Sequence, residues 1–276
     1  MKYGLLNVRK ARRFGKCVLF VIAMMDLGAS TMFAQNSTPS SKATADINTL
    51  VKCNMTTAQV DDTTTLPASC VDLFTGAAQP VEANGFVTIM QKPVKLSASQ
   101  SLFVSPSLVT GLYTQTKTKT TTNSTSTAQA MGGVYLRAVL VDAGGHEIEA
   151  APLSACNSGI LGCTQATNGD WGVLLDSRIQ TLSQSLSNCV VNIDLVGTGT
   201  CTFTSTLDLI LQTTSAHTFN FIFPNVGQGV YTLKVKAAVA SGASIIAGSG
   251  TAVGAAAFGL GSLSVESVRL VHDFSF

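Results

Sequence analysis

An all-β fold, mostly antiparallel and arranged as a β-sandwich, is the class this sequence predicts, and three observations predict it. Apolar and polar residues alternate over short runs bounded by Gly, Pro and Asn. Charged residues make up only 12% of the chain while Gly, Ser and Thr are frequent, a balance that suits strands and turns better than long helices. Six cysteines beyond the N-terminal leader fall in three neighbouring pairs, as expected of a disulfide-stitched extracytoplasmic domain. A small helical, disulfide-bearing insertion at about 152–214 is expected to interrupt the strands.

Residues 1–34 have the pattern of a secretory signal peptide. Lys2, Arg9, Lys10, Arg12, Arg13 and Lys16 form a basic region, followed by the apolar run Cys17 to Met25, which is too short to span a bilayer. Cleavage is expected after Ala34, with Gly28-Ala29-Ser30 as the alternative, and Arg12-Arg13-Phe14 also admits a twin-arginine reading. The leader holds six of the 17 basic and one of the 15 acidic residues, so the remainder carries a net charge of −3. Its charges are sparse and form no basic stripe, which excludes a nucleic-acid partner. No transmembrane helix is expected in the mature chain, and its expected location is secreted, cell-surface or periplasmic.

Residues 35–45 are Ser/Thr-rich and read as a disordered tether. Residues 46–276 then form one β-sandwich domain, within the size range of large all-β domains. The spacing of the cysteines predicts three local bridges, Cys53 with Cys70, Cys156 with Cys163, and Cys189 with Cys201. No pair has the C-x-x-C spacing of a metal site, and no cofactor-binding pattern occurs.

The clearest β-structure is His217 to Val239. Phe219, Phe221 and Phe223 alternate, Pro224 to Gly229 supply a turn, and Tyr231, Leu233, Val235, Ala237 and Val239 alternate on the return, so an antiparallel hairpin is expected. Upstream, Phe86 to Met90 and Val94 to Val104 read as strands, with Pro93 marking an edge or a strand start and Ser105-Pro106-Ser107 a break. Leu112 to Ala130 reads as a polar ribbon projecting from the body, with Asn123-Ser124 at its tip. Thr114, Thr116, Thr118, Thr120 and Thr122 form one face, expected to be solvated or, alternatively, to contact a repetitive surface.

Val134 to Asp142 is apolar on both faces and is a candidate central strand, in which the Arg137 head needs a carboxylate or carbonyl partner. Asp142 to Gly145 turns into a short polar strand at His146 to Ala150. Leu175, Ile179, Leu182 and Leu186 recur at spacings of four, three and four, which predicts a helix over about Leu174 to Ser187. Ser205 and Asp208 resemble a capping box before a second short helix. Ser241 to Gly261, rich in Gly and Ala, predicts a loose hairpin or thin edge pair along which copies could associate.

Few residues offer chemistry. His146 beside Glu147 and Glu149 is the best acid-base or metal candidate, against a solvated hairpin flank; Asn168, Asp170 and Asp176 miss the spacing of a calcium loop. No nucleophile motif accompanies His146, His217 or His272. The terminal alternation Val268, Leu270, His272, Phe274, Phe276 resembles the closing strand of bacterial outer-membrane barrels, which implies a β-barrel as a third possibility. A noncatalytic secreted or cell-surface protein with a structural, adhesive or matrix role is the expectation. The alternative is a carbohydrate- or cell-wall-binding module with Trp171, Tyr113 and Tyr135 as stacking residues. Expected partners are a surface polymer, a glycan or other copies of the chain.

Overall fold

The computed structural model describes residues 43–71, 78–79, 85–156, 163–165, 170–187, 189–193 and 197–268. The expected signal peptide, most of the tether and the terminal segment 269–276 lie outside them. In chain order the strands are β1 (Ala43–Asn48), β2 (Lys52–Val60), β3 (Cys70–Val71), β4 (Ala78–Gln79), β5 (Val87–Leu96), β6 (Gln100–Thr121), β7 (Thr125–Val141) and β8 (Glu147–Glu149). A six-residue helix, α1 (Ala151–Cys156), precedes β9 (Cys163–Gln165), β10 (Trp171–Ser185), β11 (Cys189–Ile193), β12 (Gly197–Cys201), β13 (Thr204–Thr218), β14 (Phe221–Val226), β15 (Gly229–Ala247) and β16 (Ser249–Val268).

Twelve of these strands form two antiparallel sheets packed as a sandwich, while β3 with β4 and β11 with β12 form separate two-stranded ladders. The first has the order β1-β16-β6-β13, with β2 also on β16 and β14 also on β6; the second has the order β5-β15-β7-β10-β9, with β8 on β7. Strand β7 is therefore central, as its two apolar faces require. Both sheets end in edge strands, so the described strands make open sheets and not a closed barrel.

The expected hairpins are arches. Strand β14 pairs with β6 in the first sheet, whereas β15 pairs with β5 and β7 in the second, so the chain changes sheets between Val226 and Gly229. Strands β6 and β7 likewise lie in opposite sheets, joined through Asn123 at φ 63°, and β15 turns into β16 through Gly248 at φ 68°. Ser126 ties these two arches together: its Oγ donates to the Lys119 carbonyl at 2.7 Å and accepts from the Ser249 N–H at 3.2 Å.

The interior changes character along the sandwich. At one end Leu136, Leu140, Leu153, Phe221, Phe223, Leu233 and Phe258 form a large apolar core. Towards the Asn123 end it is filled by small and polar side chains, Ala128, Ala130 and Ala252 beside Thr114, Thr116, Thr118 and Thr120. Thr114 to Thr120 of the threonine face expected to be solvated are thus buried, because β6 is overlaid by the second sheet, and Thr122, just past the end of β6, is half-buried. The Gly/Ala segment forms the adjoining parts of β15 and β16: its β16 part lies between β2 and β6, whereas Ser241 to Ala247 of β15 pairs with β7 alone, because the pairing with β5 ends at Ala237. A Cβ at Gly254 would stand 2.3 Å from the Met131 carbonyl oxygen, and one at Gly132 would stand 2.6 Å from that of Ala255. Small residues are needed there because the two backbones nearly touch.

Four further expectations are corrected. The predicted helix over Leu174–Ser187 is β10, hydrogen-bonded to β7 from Val173 to Ser185, and the second predicted helix is β13, paired with β6 over its whole length. Ser, Thr and β-branched residues are frequent in both, and ladder pairing outweighs the leucine spacing. Ser105-Pro106-Ser107 does not break β6. Pro106 sits where the neighbour of β6 changes from β13, ending at Thr218, to β14, starting at Phe221, so its missing N–H leaves no ladder bond unmade there. Residues 43–45 of the expected tether belong to β1, paired with Ser264 to Glu266 of β16.

Candidate functional site

Small residues on the outer face of the first sheet create a groove. Register sets Met55, Ala255, Tyr113 and Gln212 in one row across β2, β16, β6 and β13, and Cys53, Ala257 and Gly111 in the next. Alanine and glycine make the floor, while Met55 and Tyr113 rise on either side. The Cys53–Cys70 disulfide holds Pro67 to Cys70 as an outer wall, closing a cavity of about 260 Å³. That is somewhat below the roughly 300–1,000 Å³ of pockets for drug-sized ligands, so it suits one ring-sized group.

Tyr113 is the polar handle of this groove. Its hydroxyl donates to Gln115 Oε1 at 2.9 Å, and the Gln115 amide donates to both Asp208 oxygens at 3.1 Å. Burial pushes the Tyr113 pKa up and the Asp208 carboxylate adds to the effect, so the phenol stays protonated at neutral pH. Of the three expected stacking residues, only Tyr113 lines the groove. Tyr135 belongs to the other sheet, where its ring lies within 3.2 Å of a Cβ built on Gly133, and Trp171 packs against the apolar core. The structure does not bring the three together.

The second polar concentration is a seam where β10 lies over β6 and β13. Asp176 Oδ2 accepts from Thr110 at 2.6 Å and stands 3.3 Å from His217 Nε2; the same nitrogen is 2.6 Å from Ser215 Oγ. Ser, His and Asp are together, but a nucleophilic relay needs the hydroxyl on one ring nitrogen and the carboxylate on the other. Here both fall on Nε2, a geometry that ties strands. Further along, Arg178 donates to Thr213 Oγ1 at 2.8 Å and Gln180 to the Leu209 carbonyl at 2.9 Å. The sequence reasoning missed this seam, whose signal is the even-numbered polar series Asp176, Arg178, Gln180 and Gln184 on one face of a strand.

The other candidates are occupied by structural contacts. Arg137, buried in β7, meets Glu147 and Glu149 at 3.0 Å, the Trp171 carbonyl at 3.2 Å and Asp170 at 3.6 Å, the partners its position demands. Lys236 takes the other Glu147 oxygen at 2.7 Å. Burial acts to raise the Glu147 pKa, but Lys236 and Arg137 prevail and lower it. His146, largely exposed, bonds back to Asp142 at 3.2 Å, so it does not share a site with Glu147 and Glu149. Asn168 lies outside the described residues, and Asp170 and Asp176 serve Arg137 and the seam respectively. Among the described residues no group of three or more His, Cys, Asp or Glu side chains is arranged for a metal ion, and no helix is long and apolar enough to cross a membrane.

Two disulfides are formed, Cys53–Cys70 and Cys156–Cys163, the second joining α1 to β9. Both are the expected local pairs and are consistent with an oxidising compartment. The backbone register sets Cys189 directly opposite Cys201, whose side chains lie outside the described residues.

The fold and groove together define a disulfide-stitched two-sheet antiparallel β-sandwich with a small cavity on an outer face. No family model matches the chain, and no curated protein is similar to it. Two solved chains, from structures of infectious bursal disease virus strains Gx and Gt, overlap 83% and 84% of it at 11% and 9% identity, with TM-scores of 0.12 and 0.13. The chain spans about two fifths of their length, 40% and 42%. Likeness at that level carries no argument.

Proposed function

We infer that this is an exported, noncatalytic module with a structural, adhesive or matrix role at the cell surface or outside it. What supports the reading is the use of its polar side chains: Asp176, His217, Ser215, Gln180, Arg137 and Glu147 all tie strand to strand. The leader at residues 1–34 supports export, and a third bridge between Cys189 and Cys201 belongs to the same reading. Fractionation of the native host should recover a mature chain starting at Gln35 in the envelope or the medium. Purified protein should turn over no ester, peptide or polysaccharide; turnover that disappears in His217→Ala would sink the proposal.

The groove favours a second reading, a glycan- or cell-wall-binding module in which a sugar ring stacks near Tyr113. Saturable binding to a polysaccharide panel, lost in Tyr113→Ala, would support it. Flat titrations throughout would remove it.

A further inference from the structure

We propose that β13 is a self-pairing edge, through which two copies of this chain join their first sheets into one continuous sheet. The inference concerns this edge alone and holds independently of the adhesive role.

Hydrogen-bond parity shows what the edge offers. At one end of the ladder the Phe203 carbonyl accepts from the Thr122 N–H, and at the other the Phe219 N–H donates to the Pro106 carbonyl. The register between them is unshifted from Thr204 to Thr218. Odd-numbered residues therefore turn their backbone groups to β6, and the even-numbered residues from Thr204 to Thr218 turn theirs outward. No described strand pairs with that outer side. Fifteen residues at about 3.3 Å each present roughly 50 Å of unpaired backbone.

The side chains leave this edge unguarded over its whole length. Leu207, Leu209, Ile210 and Leu211 are 47%, 40%, 54% and 42% exposed, and Asp208 is the only charged group on β13 with no proline beside it. Edge strands are ordinarily guarded against pairing by charge, proline or a cover. Strand β5 carries Lys92, Pro93 and Lys95, β10 carries Asp176 and Arg178, and β2 is linked to β3 through the Cys53–Cys70 bridge.

The occupant is identified by near-palindromy. Thr204 to Ala216 reads TSTLDLILQTTSA, and an antiparallel twofold through Ile210 sets like against like at most positions, the exceptions being Leu207 against Thr213 and Thr204 against Ala216. Ile210 meets Ile210 of the second copy, Leu209 meets Leu211, Thr206 meets Thr214 and Ser205 meets Ser215. Asp208 meets Gln212, so the only charges are opposite amides and not each other. Even-numbered residues meet even-numbered residues, which is the parity that cross-strand hydrogen bonding needs. An isologous interface demands this kind of self-complementarity, and an unrelated strand does not.

Sedimentation equilibrium on the mature protein tests it. The wild type should be a dimer. Ile210→Lys places two like charges at the axis, and Gln212→Pro removes an outward N–H without touching the bonds to β6; each should weaken dimerisation about tenfold or more. Both should leave the circular dichroism spectrum unchanged, and Ile210→Lys, at a half-exposed side chain, decides the matter if Gln212→Pro does not fold. Ile210→Cys should crosslink to its own copy under mild oxidation, since facing Cα atoms about 5.5 Å apart fall within disulfide reach. A wild type that is monomeric at all concentrations overturns the proposal. So does a dimer that Ile210→Lys leaves intact.

Discussion

The Thr114 hydroxyl donates to Gln180 Oε1 at 2.6 Å in the interior between the two sheets, and the same glutamine's amide returns a bond of 2.6 Å to Thr116. All three side chains are buried, and Gln184 accepts in the same way from Thr118 at 3.1 Å and Thr120 at 3.3 Å. Two glutamines spaced four apart on β10 thus satisfy alternate threonines of β6, and this half of the sandwich is held by hydrogen bonds where the other half is held by leucine and phenylalanine.

Removing one member of such a network leaves buried groups without partners. Gln180→Ala should destabilise the fold by roughly 2–4 kcal/mol, because two hydroxyls and the Leu209 carbonyl each lose a bond. Replacing the whole set, as Thr114→Val, Thr116→Val and Gln180→Leu together, should cost much less than the sum of the single changes. Urea unfolding of the single and triple variants checks both expectations.

Close approach of the sheets gives a second expectation. Gly254→Ala would set a methyl 2.3 Å from the Met131 carbonyl oxygen and 2.4 Å from that of Gly242, both backbone atoms that cannot swing aside. The sheets must separate locally, and a loss of roughly 1–3 kcal/mol is expected. Thermal unfolding should show it, whereas Gly145→Asn, at a turn with φ 85° and open space around it, should be nearly neutral.

These two cases mark what was legible in the sequence. Alternation found β8, the Val134–Val141 part of β7 and the Tyr231–Val239 part of β15, and the burial of Arg137 in a two-sided apolar strand correctly required carboxylate partners. Alternation split β5, which runs through Pro93 on the edge of its sheet, and joined the end of β5 to the start of β6. An arch and a hairpin, however, share one local pattern of strand, turn and strand. Only pairing with distant strands, β14 with β6 and β15 with β7, separates them. The threonine row looked solvated because its partners, Gln180 and Gln184, lie more than 60 residues away in the chain. Leu175, Ile179, Leu182 and Leu186 matched a helical period, yet in β10 Ile179 simply faces solvent, 69% exposed. The groove was half visible: Tyr113 was a candidate, but its floor comes from Ala255 and Ala257, whose small size gave no sign of a site.

Acid should loosen the loop beyond β2. Asp62 pairs with Lys117 at 3.1 Å and accepts from the Thr64 N–H and hydroxyl at 3.1 and 2.9 Å. Burial acts to raise its pKa, but Lys117 and Thr64 together lower it from the ordinary 3.8. A depressed folded-state pKa means stability that is present above the unfolded value and lost as pH falls through the folded one. The wild type should therefore lose stability below about pH 4 relative to Asp62→Asn, while at pH 7 the variant should be the less stable of the two. Equal pH profiles for the two proteins would show that the pair contributes nothing.

The β11–β12 hairpin carries the last expectation. Its register places Cys189 directly across from Cys201 in an antiparallel ladder, where facing Cα atoms stand about 4.5–5.5 Å apart and within disulfide range. The loop so closed is short, and on the chain-entropy estimate a bridge there stabilises by roughly 2–3 kcal/mol. Peptide mapping of the exported protein without reductant should recover Cys189 joined to Cys201 alongside the two other local pairs. A free thiol at either position, or a link from Cys189 to any other cysteine, would overturn the assignment. Cys189→Ser with Cys201→Ser should then lower the unfolding midpoint while leaving both sheets intact, since among the described residues β11 and β12 pair only with each other.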